Sequence, residues 1–113
     1  MAKVTKKASK KTKYDLNPID VANKFVEENR GKKILCLNAG DFAEHLLINS
    51  SFKELDIIFL DDERKKGLCG KVVLYLEILP YTGIKYDMCI WTILSPYKEL
   101  RERYKSLNPV EIF

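Results

Sequence analysis

The apolar positions fall into short runs whose spacing changes along the chain. Asn17-Pro18 pairs a capping residue with the residue favoured at the first helical position. Ile19, Ala22, Phe25 and Val26 follow at helical spacing, and Asn29-Arg30-Gly31 ends the run. The pattern predicts a helix over about 18–28. Ile34-Leu35-Cys36-Leu37 is a short uninterrupted apolar run, which fits a buried strand. Asn38 is placed to cap the next helix, with Asp41 in its first turn and Phe42, His45, Leu46 and Ile48 on its buried face. Asn49-Ser50-Ser51 closes it.

The second half reads differently. Leu55–Leu60 and Gly70–Leu79 are apolar runs separated by the charged turn Asp61–Gly67. Two runs around a polar, Gly-containing turn predict an antiparallel hairpin, ended by Pro80. Residues 82–94 carry Ile84, Met88, Trp91 and Leu94 at helical spacing and predict a helix. Ser95-Pro96 would start another, reaching Tyr104 or Leu107. Asn108-Pro109 then turns the chain into a closing strand, Val110–Phe113. The expected fold class is α+β: a small mixed, largely antiparallel sheet with helices on one face, preceded by a basic disordered tail. The domain reading is a tail at 1–14 and a single domain at 15–113.

Charge sharpens that division. Lys3, Lys6, Lys7, Lys10, Lys11 and Lys13 put six positive charges on the first thirteen residues, while the whole chain carries only +4. The remaining residues therefore hold fourteen Lys/Arg against sixteen Asp/Glu. A basic arm poor in apolar residues cannot bury itself and needs a polyanion, for which nucleic acid is the common choice. No run of eighteen apolar residues is present, so no membrane partner is expected. No apolar segment follows the basic start, so no secretory leader is expected either.

Candidate chemistry is sparse. Cys36, Cys69 and Cys89 lack CxxC spacing, and His45 is the sole histidine, so neither a zinc site nor a disulfide framework is expected. Asn38-Ala39-Gly40-Asp41 after a strand is similar to the turn of a nucleotide-binding domain, but neither GxGxxG nor GxxxxGK[ST] occurs. Asp61-Asp62-Glu63 follows a strand in the manner of a metal-binding acidic edge, yet Arg64-Lys65-Lys66 comes next and competes for the carboxylates. The expectation is no catalytic residue, no metal, no cofactor and no small-molecule substrate. Lys32, Lys33, Lys65, Lys66, Lys85, Arg101, Arg103 and Lys105, interleaved with Tyr86, Tyr97 and Tyr104, are instead candidates to extend the RNA-binding set of the tail lysines.

Several landmarks carry a family likeness. Asn38-Ala39-Gly40-Asp41-Phe42 with Glu44 and Leu46 resembles a helix start, Ile78-Leu79-Pro80-Tyr81 a hairpin end, and Lys85-Tyr86 and Leu100-Arg101-Glu102 later positions of one family. That family is the eukaryotic large-subunit ribosomal protein twenty-two family, whose members also open with a lysine-rich arm. The likeness spans about residues 34–107 and is that of a divergent, shortened member. Asp87–Trp91 stand where the family has a strongly basic, RNA-hairpin-binding helix. The resemblance implies a structural constituent of the large ribosomal subunit, not an enzyme. It would bind ribosomal RNA and neighbouring ribosomal proteins, in the cytoplasm and in the nucleolus during assembly. It also implies that residues 101–107 pair as a strand with 110–113, and set beside the local signal at Ser95-Pro96 this gives an expected helix ending near Leu100 and a hairpin around Asn108-Pro109.

A second hypothesis is a small Rossmann-like nucleotide-binding module or enzyme subunit. It rests on the runs ILCLNAGD and LDIIFLDD, which look like parallel strands with polar residues at their carboxyl ends. A third is a protein–protein adaptor whose tail is a nuclear localisation signal. The sheet separates the first two. Antiparallel pairing of 55–60 with 70–79 supports the ribosomal reading, and a parallel sheet with Asn38 and Asp61 at one edge supports the nucleotide reading.

Overall fold

The computed structural model describes residues 17–63 and 67–113. The tail lysines, the expected disorder of residues 1–14, and Lys65 and Lys66 lie outside the described residues.

Helix α1 (Pro18–Asn29) starts where the sequence places it, with Asn17 Oδ1 accepting the Ile19 N–H at 2.8 Å and proline in the first turn. Strand β1 (Lys33–Leu37) follows, then α2 (Asp41–Asn49), a 3-10 turn at Ser51–Glu54 and β2 (Asp56–Leu60). The expected long third strand shrinks to β3 (Val72–Leu74). A 3-10 turn at Leu76–Ile78 leads into the single helical turn α3 (Leu79–Thr82), and β4 (Met88–Trp91) comes next. Helix α4 (Lys98–Tyr104) and a 3-10 turn at Lys105–Leu107 complete the order.

The four strands form one sheet in the order β3-β2-β1-β4, and every pairing between them is parallel. This is a small α/β domain, and it corrects the expected mixed, largely antiparallel sheet. Residues 56–60 and 72–74 are neighbours, as anticipated, but Ile58 pairs with Val72 and Leu60 with Leu74 in the same direction. The segment 61–71 is therefore a crossover rather than a hairpin turn. Its Leu68 is buried and pairs with Lys71 in a local antiparallel bridge, which folds the connection back on itself.

The helices also cover both faces of the sheet, not one. Alternation along β1 sends Ile34 and Cys36 to one side, where Ala22, Phe25 and Val26 of α1, Ala43, Leu46 and Leu47 of α2, and Phe52 pack on them. Leu35 and Leu37 point to the other, against Leu79 of α3, Trp91 of β4 and Tyr104 of α4. A strand buried on both faces reads as a continuous apolar run. That is why β1 reads as a strand from its sequence; residues 88–91, expected to be helical, form a strand instead. Met88 and Ile90 join the α1/α2 layer while Cys89 and Trp91 join the α3/α4 layer, so no single face shows in the sequence.

Other expectations shift for local reasons. Pro80 does not end a strand but sits in the first turn of α3, where its missing N–H costs no helical hydrogen bond. Gly83 at φ 71° then ends that helix in the left-handed conformation. Residues 101–107 are helical rather than a strand, and Val110 makes only a single parallel bridge to Ile90. On α2 the buried face is Ala43, Leu46 and Leu47, while His45 and Ile48 are exposed. Among the described residues no helix is long and apolar enough to cross a membrane.

Candidate nucleoside-binding cleft

Because all four strands run the same way, their carboxyl ends come out at one edge of the sheet. The residues following β1, β2 and β4 meet there. The Asn38 N–H donates to Leu60 O at 2.9 Å, tying the end of β1 to the end of β2. The Thr92 N–H donates to Leu37 O at 3.0 Å, and its hydroxyl donates to Asn38 O at 2.7 Å, tying in β4. Asn38 takes φ 90°, a value asparagine tolerates better than most residues because its short side chain can bond locally. Its Oδ1 accepts the Gly40 N–H at 3.0 Å. Gly40 is confined to glycine by that contact, since a Cβ there would lie 2.8 Å from Asn38 Oδ1. Gly40, not Asn38, is the N-cap of α2, and no side chain caps the helix.

Asp61 is buried and locks the edge from the β2 side. Its Oδ2 accepts the Ala39 N–H at 2.7 Å and its Oδ1 accepts the Glu63 N–H at 2.8 Å. Its own N–H donates to Leu74 O at 3.1 Å. One carboxylate thus fixes the turns after β1 and β2 together, through charge-assisted bonds.

Above this edge lies a cleft of about 240 Å³ lined by Asn38, Leu60, Asp61, Asp62, Glu63, Tyr97, Leu100 and Tyr104. The acids come from the end of β2, and the aromatic wall comes from the start and end of α4. Tyr104 is held edge-on against Trp91, with ring centroids 6.1 Å apart, and burial pushes its hydroxyl pKa up, so it stays protonated. Tyr97 is exposed at the rim. Asp62 meets Arg103 in a two-pronged ion pair: Nη2 donates to Oδ1 at 2.6 Å and Nε lies against Oδ2. Arg103 Nη2 also reaches Glu77 Oε1 at 3.1 Å, which holds the Glu77 carboxyl below its ordinary pKa.

The residues expected to bind RNA divide between two places. Lys32, Lys33 and Lys85 stand at the amino edge of the sheet, Lys32 just before β1, Lys33 at its start and Lys85 before β4. Lys33 pairs with Asp56 at 3.0 Å, and Lys32 donates to Asn29 Oδ1 at 3.1 Å. Arg101, Arg103 and Lys105 belong to the α4 region at the far end. Arg101 pairs with Glu111 at 2.7 Å and Lys105 with Glu102 at 3.1 Å. No single patch gathers these six, and most of their charge already faces a carboxylate. The aromatic wall was visible as Tyr97 and Tyr104 but was read as part of an RNA surface. Thr92 gave no signal.

Burial raises the Cys36 thiol pKa well above normal and pushes Cys89 up to about 12, so neither is a thiolate near neutral pH. Among the described residues no three His, Cys, Asp or Glu side chains group together to hold a metal. A second hollow, of about 360 Å³, lies beside α1 at Val21, Phe25 and Ile112, away from the strand ends. No protein-family model, no curated protein and no solved structure matches the chain.

Proposed function

We propose that this chain is a small Rossmann-like module that binds a nucleoside, or a nucleoside-bearing ligand without phosphate, at the carboxyl edge of its sheet. The observation that carries the reading is the parallel sheet with Asn38 and Asp61 side by side at that edge. The strand order matches the first four strands of doubly wound dinucleotide-binding sheets, whose ligands sit outside the carboxyl ends of the strands. Asp61 and Asp62 fall about twenty residues after Gly40, the separation at which such folds place an acid on a ribose hydroxyl. Asp61 is buried and each of its oxygens already holds a backbone N–H, so Asp62 takes the ribose role. Tyr97 supplies a face for the base.

The exclusion of phosphate follows from the turn after β1. Dinucleotide folds bind pyrophosphate with free backbone N–H groups of that turn and the helix start behind it. Here the Ala39 N–H goes to Asp61 and the Gly40 N–H to Asn38. Asp41 and Glu44 occupy the first turn of α2, where a phosphate charge would otherwise sit. The cleft of about 240 Å³ is also small beside the roughly 300–1,000 Å³ of usual ligand sites, which suits one nucleoside better than a dinucleotide.

Titration calorimetry with adenosine and with AMP tests this. Adenosine binds, AMP binds at least about tenfold more weakly because its phosphate meets Asp41 and Glu44 at the start of α2, and Asp62→Ala abolishes adenosine binding. Equal or tighter binding of AMP would refute the reading.

The lysine arm supports a second reading, that of a large-subunit ribosomal protein held on RNA through Lys3, Lys6, Lys7, Lys10, Lys11 and Lys13. In a sucrose gradient of cell lysate that reading requires comigration with large subunits in moderate salt. Recovery only from the top fractions removes it.

A further inference from the structure

We propose that Arg103 is a built-in competitor for the ribose site: it holds the Asp62 carboxylate when the cleft is empty and yields to a ligand by transferring to Glu77. The inference rests on the nucleoside reading above and concerns how that site is controlled.

Asp62 lines the cleft, yet both of its oxygens face Arg103. Arg103 Nη2 takes a lone pair of Oδ1 and the Nε edge of the guanidinium covers Oδ2, so a vicinal diol reaching for the same two oxygens meets the guanidinium. Diol and guanidinium therefore compete for Asp62. Asp61 offers no substitute, because its two oxygens hold the Ala39 and Glu63 N–H groups.

Arg103 has somewhere to go. Its Nη2 already touches Glu77 Oε1 at 3.1 Å, and Glu77 stands just beyond the end of β3, outside the cleft lining. Its guanidinium carbon also lies 5.6 Å from the centre of the Tyr104 ring, a contact that does not depend on Asp62. Releasing Asp62 thus leaves the cation with one acid and one aromatic face. The pair is about a third open to water, with the Arg103 side chain 30% and the Asp62 side chain 41% exposed, so salt partly screens it.

The two acids on Arg103 act in opposite senses. Removing the Arg103 charge frees Asp62 and tightens ligand binding. Removing Glu77 takes away the alternative partner, commits Arg103 to Asp62 and weakens ligand binding. A purely structural role for the cluster predicts that both changes loosen the site.

Adenosine calorimetry on the full chain separates these cases, with thermal melts to confirm folding. Arg103→Met should bind adenosine about three- to fivefold tighter than the unaltered protein, and Glu77→Gln should bind it more weakly by a similar factor. Arg103→Lys, which keeps the stem and charge but loses the fork, should fall between the unaltered protein and Arg103→Met. A further arm needs no substitution: adding salt from about 0.02 to 0.3 M should raise adenosine affinity in the unaltered protein, and the Arg103→Met protein should not respond. If the unaltered protein binds adenosine but Arg103→Met binds it equally or less tightly, the competitor role is overturned while the nucleoside reading stands. If neither protein binds adenosine, the nucleoside reading fails and the competitor role with it.

Discussion

Asp61 is the residue on which the carboxyl edge depends. It is 9% exposed, and both of its carboxylate oxygens accept backbone N–H groups, one from the turn after β1 and one from the turn after β2. Asparagine is nearly the same shape but has one acceptor oxygen and presents an NH₂ where the other was. Asp61→Asn therefore leaves a buried N–H facing a donor, at a cost of about 1–3 kcal/mol. Chemical denaturation should show the midpoint falling by that amount with an unchanged denaturant slope, because the surface exposed on unfolding is the same. A change within about 0.5 kcal/mol, the range of ordinary surface substitutions, would show that the carboxylate is not what joins the two turns. The sequence places Asp61 at the start of a charged turn, and only under the alternative parallel sheet at a shared edge with Asn38. Its burial follows from the parallel direction of β2 and β3, which brings the chain after Leu60 back under Leu74, and no local pattern encodes that direction.

At the scale of elements, the first half of the chain was legible and the second half was not. Helix α1 announces itself with Asn17-Pro18 and a clean apolar stripe, and β1 and β2 with short β-branched and leucine runs. These signals are local, so they survive in the fold. From Gly67 onward the decisive facts are not local. The run Gly70–Leu79 contains a three-residue strand, a 3-10 turn and the start of a helix; Val73, Leu74, Leu76 and Leu79 pack into the core while Val72, Tyr75 and Ile78 are exposed, so apolar character alone does not separate the elements. Met88–Trp91 satisfied a helical spacing while belonging to a strand covered on both sides. Ser95-Pro96, by contrast, announced a helix, but α4 begins two residues later with Tyr97 rather than Ser95 as its N-cap, and the family likeness that made residues 101–107 a strand misled. The candidate site was half legible. Asn38 and Asp61 were named as the pair that a parallel sheet would bring to one edge. The partnership of Asp62 with Arg103, and the wall of Tyr97, Leu100 and Tyr104, needed the fold to appear, since those residues lie far along the chain from the acids.

At the scale of the molecule, charge and fold separate two properties. The six lysines of the arm lie outside the described residues and keep whatever affinity for polyanions a lysine cluster has. Among the described residues of the body no comparable cationic surface gathers, because the arginines and lysines are spread over both edges of the sheet and largely face carboxylates. What the body does offer is one acid-lined, aromatic-walled cleft at the place where parallel α/β sheets bind their ligands. The most direct measurement is a map of backbone amide shifts by ¹⁵N–¹H NMR as adenosine is added. The account predicts that the shifts concentrate at 38–41, 61–63 and 97–104. Shifts centred on Lys32, Lys33 and Lys85 at the opposite edge, or no shifts at all, would contradict it.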